Sequence, residues 1–237
     1  MGTADPKPVA HASIGLRSDN SWPARLRSFG PAGIVVMIAI PLAGTAFLSA
    51  ILVLLWARYT GTPWREIGYV RPKSWMRAVM FAFVFGLAFK LVMKALVMPL
   101  LGAAPMNEAY HYLVGNPVAM LQMAIGIIVG AGFGEETVYR GFLFERFGKL
   151  LKPRAGAAVA TIVTVLITSV WFGLVHYPEQ GLSGAEQAVI TGLVFGTMFT
   201  MSASILMPMV AHVAFDLAAL AIIYWNLEDP VAHLVFR

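Results

Sequence analysis

The sequence predicts an all-α polytopic membrane protein, a helix bundle with about six transmembrane helices. Of its 237 residues, 59% are hydrophobic and only 12% are charged, and the mean hydropathy is +0.74. Soluble domains carry about 25% charged residues, so this chain has too little polar side-chain area to cover a globule in water. Several apolar runs also exceed the roughly 18–20 residues that cross a bilayer as a helix.

The composition excludes several kinds of site and partner. The chain contains no cysteine, so it has no disulfide, no thiolate nucleophile and no cysteine metal ligand. The formal net charge is +5, but the basic residues lie in short loops beside apolar runs, where they set the orientation of helices in a membrane. We therefore expect the lipid bilayer as a partner and no nucleic acid.

The hydropathy pattern divides the chain into four parts. Residues 1–30 are a polar N-terminal tail, and 31–116 hold two transmembrane helices joined by a basic interfacial loop. Residues 117–226 form a membrane core of four helices in the C-terminal half, and 227–237 are a C-terminal tail. The predicted apolar runs are 31–57, 77–101, 117–148, 155–176, 185–201 and 204–226.

Loop charge predicts the orientation in the membrane. Loops 58–77 and 146–154 hold five and four Lys or Arg residues, whereas loops 102–117 and 177–184 hold none. Lys and Arg are enriched in cytoplasmic loops, so the two basic loops are predicted to be cytoplasmic in a cell inner membrane. The N-terminal tail is basic too. If the run 31–57 spans the membrane once, the tail lies on the extracytoplasmic side, against this rule. If the run is re-entrant, the tail lies on the cytoplasmic side with the two basic loops.

Ionisable residues within the apolar runs are the candidate functional residues. A charged side chain at mid-membrane costs about 2.5–3.5 kcal/mol on insertion scales, so its presence indicates a function. Brought together, these residues could hold and activate a water molecule in a site shielded from lipid. They are Glu135, Glu136 and Arg140 in the third run, His176 at the end of the fourth, and His212 and Asp216 in the sixth.

The spacing of these residues predicts two pairs. Glu136 and Arg140 are four residues apart, so they can pair on one helical face. His212 and Asp216 have the same spacing, which lets the carboxylate orient the imidazole ring. Both pairs also have a structural interpretation, as a buried ion pair and as a polar contact between helices. Lys90, in the second run, has no partner assigned from the sequence.

The three motifs resemble those of the CPBP family, also called the Abi family. These intramembrane proteases are related to the type II CAAX prenyl endopeptidase. The family pattern is Glu-Glu-x-x-x-Arg, then Phe-x-x-x-His, then His-x-x-x-Asn or Asp, on a core of four transmembrane helices. Here the three elements are Glu135-Glu136-x-x-x-Arg140, Phe172-x-x-x-His176 and His212-x-x-x-Asp216, in the same order.

The resemblance implies hydrolysis of a peptide bond near the C-terminus of a membrane-associated protein or peptide. Glu135 with His176 would activate water, and His212 with Asp216 would stabilise the oxyanion. The pair Glu136–Arg140 would be largely architectural. We expect the active site to open toward the cytoplasmic side. A metal-free mechanism and a metallo-mechanism both remain open, because Zn²⁺ could be held by Glu135, His176, His212 and Asp216.

Two alternative functions remain open. Gly181-Leu182-Ser183-Gly184 matches the Gly-x-Ser-Gly of rhomboid proteases, so Ser183 with His212 could form a serine protease site. That hypothesis leaves Glu135, Glu136 and His176 unexplained. A non-catalytic membrane scaffold or immunity factor of the same family is the second alternative.

Overall fold

The computed structural model describes residues 21–236, and every element of regular secondary structure within them is a helix. The predicted all-α class is therefore confirmed for this part of the chain. The first 20 residues of the predicted tail lie outside the described residues. The helices are α1 (Trp22–Arg27), α2 (Pro31–Ala39), α3 (Ala46–Thr60), α4 (Trp75–Leu100), α5 (117–155), α6 (157–180), α7 (182–202), α8 (Leu206–Tyr224) and α9 (Glu228–Ala232), with 3-10 turns at Trp64–Ile67 and Glu108–Leu113.

The helices α5, α6 and α7 follow one another directly in the helical stretch Pro117–Ser202. Gly156 has φ 76° and ψ 168°, and Gly181 has φ 65° and ψ −164°. Side chains are disfavoured at such positive φ, so glycine permits both reversals. Phe172 of α6 packs edge-on against Tyr139 of α5, with ring centroids 4.9 Å apart, and α7 packs back on α6. The three helices therefore run antiparallel to their neighbours.

Three helical stretches are long and apolar enough to cross a membrane, by length and composition. They are Trp75–Leu100, Pro117–Ser202 and Leu206–Tyr224. At 1.5 Å per residue, the 19-residue α8 is about 28 Å long, close to the roughly 30 Å of the hydrocarbon core. The chain is thus a helical membrane protein, as the sequence predicts.

The first apolar run forms two short helices instead of the single helix that the sequence predicts. Pro41 and Gly44 interrupt it at 40–45, because proline has no N–H to donate and Gly44 has φ 105°. The indole Nε1 of Trp56 donates to the carbonyl oxygen of Leu26 over 3.2 Å, so both ends of the run lie together. Of the two arrangements that loop charge leaves open, the re-entrant one requires such a pairing of the two ends.

One end of the bundle, the basic end, contains the loops 58–77 and 146–154 together with α1. Arg27 of α1 pairs with Glu66 at 3.0 Å, and Lys149 binds the same carboxylate. Burial raises the pKa of Glu66, but Lys149 and Arg27 outweigh it, so this pKa lies below its usual value. Of the chain's 17 Lys and Arg residues, those at this end are Arg25, Arg27, Arg58, Arg65, Arg71, Lys73, Arg77, Arg146, Lys149, Lys152 and Arg154.

The described segments at the opposite end, which we call the cation-free end, contain no Lys or Arg. The Lys94 side chain reaches this end from α4, where it binds Glu228. The backbone at this end is joined by a hydrogen bond from the N–H of Gly115 to the carbonyl oxygen of Tyr224, at 3.0 Å. The side-chain amide of Gln180 also donates to the hydroxyl of Tyr110, at 3.0 Å. The segments at this end are 101–116, 177–184 and 225–236.

Candidate active site

The two adjacent glutamates lie where α5 is wound as a π-helix. This winding covers Ile127–Glu135 and Thr137–Leu143. Its hydrogen bonds join residues five apart instead of four, and π-helical turns are frequent at functional sites. The winding therefore changes which side chains share a face of α5, exactly where the charged motif lies. The hydropathy pattern gave no sign of it.

Glycines allow neighbouring helices to approach this π-helical segment closely. A Cβ atom added at Gly134 would lie 2.8 Å from the backbone carbonyl carbon of Ala46 in α3. One added at Gly132 would lie 2.3 Å from the side chain of Val213 in α8. Contacts this short do not fit a side chain, so these glycines permit the packing that holds the glutamates between α3 and α8.

Glu136 and Arg140 form the ion pair that their spacing predicts. Glu136 is completely buried and Arg140 almost so. The guanidinium donates from Nη1 to Oε1 of Glu136 over 2.8 Å. It also lies over the rings of Phe172 and Phe195, 5.0 and 5.8 Å from their centroids. Removing one partner of an ion pair this deeply buried costs several kcal/mol, because the other charge is left unpaired. The pair and its contacts with Phe172 and Phe195 therefore fix α5 against α6 and α7.

His212 lies among three carboxylates. Its Nδ1 is 2.7 Å from Oε1 of Glu136, which ties α8 to the buried ion pair. Its Nε2 is 3.4 Å from Asp216 and 3.8 Å from Glu135. The predicted contact between His212 and Asp216 is therefore present. Carboxylate oxygens face both ring nitrogens, and this arrangement suits a ring that carries hydrogen on both.

His176 is oriented by the backbone of its own helix. Its Nδ1 lies 2.7 Å from the carbonyl oxygen of Phe172, one turn earlier in α6. A carbonyl can only accept, so Nδ1 donates and Nε2 of the neutral ring keeps its lone pair. The Phe172 ring packs against the imidazole, with centroids 4.4 Å apart. The ring is thus fixed with a free acceptor nitrogen.

A cavity of about 610 Å³ brings the predicted residues together. Glu135, His176, His212 and Asp216 all line it. Glu136 and Arg140 do not line it. They lie behind the cavity wall and reach it through His212. The structure therefore separates the six motif residues into four at the cavity and two that support them.

Further polar residues line the cavity, among them Lys90, Gln187 and Tyr110. Lys90 of α4 donates from Nζ to Oε1 of Gln187 in α7, over 3.0 Å. Tyr110, from the 3-10 turn, lies near the cation-free end. Burial raises its pKa, and the negative charges of Glu179 and Asp216 raise it further. Lys90 stood out in the sequence as a charge in an apolar run. The same signal, a polar residue in the run 185–201, could have identified Gln187, but nothing indicated Tyr110.

Ser183, the nucleophile of the alternative serine hypothesis, also lines the cavity. Within the described residues, however, its hydroxyl makes no hydrogen bond to His212, whose Nδ1 is bound to Glu136. A serine site needs such a bond between nucleophile and base. The geometry therefore favours the glutamate arrangement over the serine one.

The predicted zinc ligands are close together but do not form a metal site. Within residues 21–236, no group of three or more His, Asp and Glu side chains is arranged to hold a metal ion. In addition, carboxylate oxygens face both ring nitrogens of His212, and a ring that carries hydrogen on both has no lone pair for a metal. The residues as placed therefore do not fit Zn²⁺.

Comparison with known proteins identifies the part of the chain that carries the site. No curated protein and no solved structure matches the chain. Residues 117–218 match the family model of the type II CAAX prenyl endopeptidase Rce1-like proteins. This match covers less than half of the 237 residues but includes all six motif residues, as the resemblance in the sequence predicts. Residues 117–218 are therefore similar to the Rce1-like type II CAAX prenyl endopeptidases.

Proposed function

We propose that this protein is an intramembrane endopeptidase that hydrolyses a peptide bond near the C-terminus of a membrane-associated protein or peptide. The observation that carries the proposal is the meeting of Glu135, His176, His212 and Asp216 on the wall of one cavity. These residues come from three helices, and each lies within or at the end of a largely apolar run. Their cost in a membrane is explained if together they perform a reaction.

In this mechanism, Glu135 is the general base. Its side chain is 21% exposed, toward the cavity. A water molecule donates one hydrogen to Glu135 and the other to Nε2 of His176, the nitrogen left free by the contact with Phe172. As the water oxygen attacks the scissile carbonyl carbon, Glu135 takes its proton and then passes it to the leaving amine. No metal is needed for these steps.

His212 stabilises the oxyanion. A ring that donates from Nδ1 to Glu136 and carries hydrogen on Nε2 presents that second N–H to the carbonyl oxygen as negative charge develops there. Asp216, 3.4 Å from Nε2, holds the ring in this state. The aspartate in place of asparagine therefore acts through His212 and does not itself donate to the oxyanion.

In the bilayer, we propose five crossings instead of six. Helices α4 to α8 pass alternately between the basic end and the cation-free end, and α5 to α8 form the four-helix core. The helices α2 and α3 enter and return at the basic end, as the contact between Trp56 and Leu26 requires. With this arrangement α1 and both basic loops lie on the same side of the membrane, so the basic residues of all three follow the rule that Lys and Arg are cytoplasmic.

The cavity opens at the cation-free end. Exposed residues of the segment 101–116, among them Ala104, Met106 and Glu108, line it there. A cytoplasmic opening and a cytoplasmic basic end, both expected from the sequence, therefore exclude each other. We propose that loop charge decides the orientation. The basic end then faces the cytoplasm, and the active site is reached from the extracytoplasmic side.

The experiment that tests the function compares purified wild-type protein with Glu135→Gln on a panel of membrane-anchored peptides with varied C-termini. Loss of the general base should lower kcat by roughly a hundredfold or more. Glu186→Gln is the matched control, because Glu186 lies on α7 and does not line the cavity, and its activity should equal that of the wild type. A folded Glu135→Gln variant with full activity would overturn the proposal.

Two further measurements on the same panel separate the alternative mechanisms. We expect Ser183→Ala to remain active, whereas its loss of activity beside an active Glu135→Gln would establish the serine mechanism. We also expect activity to survive exhaustive chelation. Stoichiometric zinc that is lost together with activity in His212→Ala would instead establish a metallo-mechanism.

A further inference from the structure

We propose that Lys90 and Gln187 form a subsite that binds the free C-terminal carboxylate of the peptide substrate. This inference rests on the proposed endopeptidase function and adds a specificity determinant to it. Both residues lie outside the three motifs, on α4 and α7, and both line the cavity that contains Glu135. Lys90 is also outside the family match at 117–218.

Lys90 is a buried cation with unused hydrogen-bonding capacity. Only 7% of the residue is exposed, and its one hydrogen bond in the described structure goes to the neutral side chain of Gln187. Its ammonium lies 4.7 Å from the centroid of the Phe215 ring. An ammonium group has three N–H donors, and no carboxylate among the described residues lies within 4.0 Å of it. A substrate anion would satisfy the remaining donors.

Lys94, one turn later on α4, lines the same cavity but is bound by other groups of the protein. Its Nζ is 3.2 Å from the Glu228 carboxylate of α9 and also binds the carbonyl oxygen of Pro105. These bonds tie α4 to α9 and to the loop at the cation-free end. Lys94 therefore has a carboxylate within 4.0 Å of its ammonium, whereas Lys90 has none among the described residues.

The chemistry of the pair matches a carboxylate. Gln187 accepts from Lys90 with Oε1, so its two amide N–H donors remain available beside the ammonium. Two carboxylate oxygens can then accept from both side chains at once. Phe215, under the ammonium, precedes Asp216 in α8, so the subsite adjoins the catalytic residues. An extended tripeptide spans only about 10 Å, which suits cleavage a few residues before a bound C-terminus.

Two acylated peptides that differ only at the C-terminus, a free carboxylate against a carboxamide, test the proposal. Wild-type protein should cleave the carboxylate peptide with a kcat/KM roughly ten- to a hundredfold higher, the usual effect of a hydrogen-bonded charge. Lys90→Met should abolish this preference by slowing cleavage of the carboxylate peptide alone, and Lys90→Arg should keep part of it. Lys94→Met is the matched control and should change both peptides by the same factor. A wild-type ratio near one, or an unchanged ratio in Lys90→Met, would overturn the subsite.

A binding measurement makes the result independent of hydrolysis. Glu135→Gln protein in nanodiscs is titrated with the same two peptides, with and without the Lys90→Met substitution. We expect tighter binding of the carboxylate peptide, and loss of the difference when Lys90 is replaced. If the peptides are not cleaved but this difference is seen, the endopeptidase function fails and the subsite stands. If binding never depends on the carboxylate, the subsite is overturned whatever the activity.

Discussion

Two neighbouring residues of the same type, Glu135 and Glu136, have different surroundings. The Glu136 side chain is fully buried and accepts hydrogen bonds from both Arg140 and His212. The Glu135 side chain faces the cavity, and its nearest ion-pair partner in the described part of the chain is His212, at 3.8 Å. Glu136, which is bound by two charged groups, is suited to holding the helices together. Glu135 lacks such close partners, so its carboxylate can take a proton from water.

Arg140→Met tests this division at the residue level. The substitution leaves the Glu136 charge buried without its ion-pair partner, so unfolding in detergent should become easier by roughly 3–5 kcal/mol. Glu135→Gln should leave stability nearly unchanged while activity is lost. The double variant Glu136→Gln/Arg140→Met should lose less stability than the sum of the two single variants, because it buries no lone charge. Equal stability of Arg140→Met and the wild type would contradict the structural role.

Close packing between helices places the catalytic side chains within contact distance of one another. The helix α8, which carries His212, packs against α4 so closely that a Cβ at Gly86 would lie 2.1 Å from the carbonyl oxygen of Ala211. Gly132 provides a similar contact between α5 and α8. The imidazole of His212 reaches Glu136 only because both contacts are this short. Small residues therefore set the geometry of the site without touching substrate.

Gly86→Leu tests this packing at the level of the element. The new side chain would meet backbone atoms of α8, which cannot rotate away, so α4 and α8 must separate. We expect a loss of about 1–3 kcal/mol in unfolding free energy and a fall in activity as His212 moves from Glu136. Gly148→Ala is the control, because nothing lies within 4 Å of its added Cβ and alanine favours a helix. Wild-type activity in Gly86→Leu would show that the contact does not position His212.

The whole molecule has strongly different ends. The basic end contains the basic loops and α1, while the described segments at the end where the cavity opens have no Lys or Arg of their own. The re-entrant α2 and α3 make this separation possible, because they return the chain to the basic end. The orientation of the protein therefore also decides from which side of the membrane a substrate arrives.

Cysteine labelling tests the orientation, and the absence of native cysteine makes the experiment clean. Ala109 and Ala155 are both exposed, at the cation-free and the basic end respectively. In spheroplasts, a membrane-impermeant maleimide should label Ala109→Cys at once and Ala155→Cys only after permeabilisation. The reverse pattern would place the cavity mouth in the cytoplasm and contradict our proposal.

Composition and spacing along the chain predict the all-α membrane class, the six motif residues and the pairing of Glu136 with Arg140 and of His212 with Asp216. These follow from composition and from spacing along one helix, which are local properties. The hydropathy pattern could not show that the run 31–57 is a hairpin, because apolar residues occupy both of its arms. It also could not show the π-helical winding around Glu135.

The tertiary structure was needed to show which charged side chains line the cavity and which lie behind its wall. The contact of Glu136 with His212 joins residues far apart in the chain, and no periodicity encodes such a distance. The partnership of Lys90 with Gln187 is of the same kind, since it joins α4 to α7. The position of the cavity at the cation-free end likewise depends on how the helices pack. The charges are visible in the sequence, but their partners are set by packing in three dimensions.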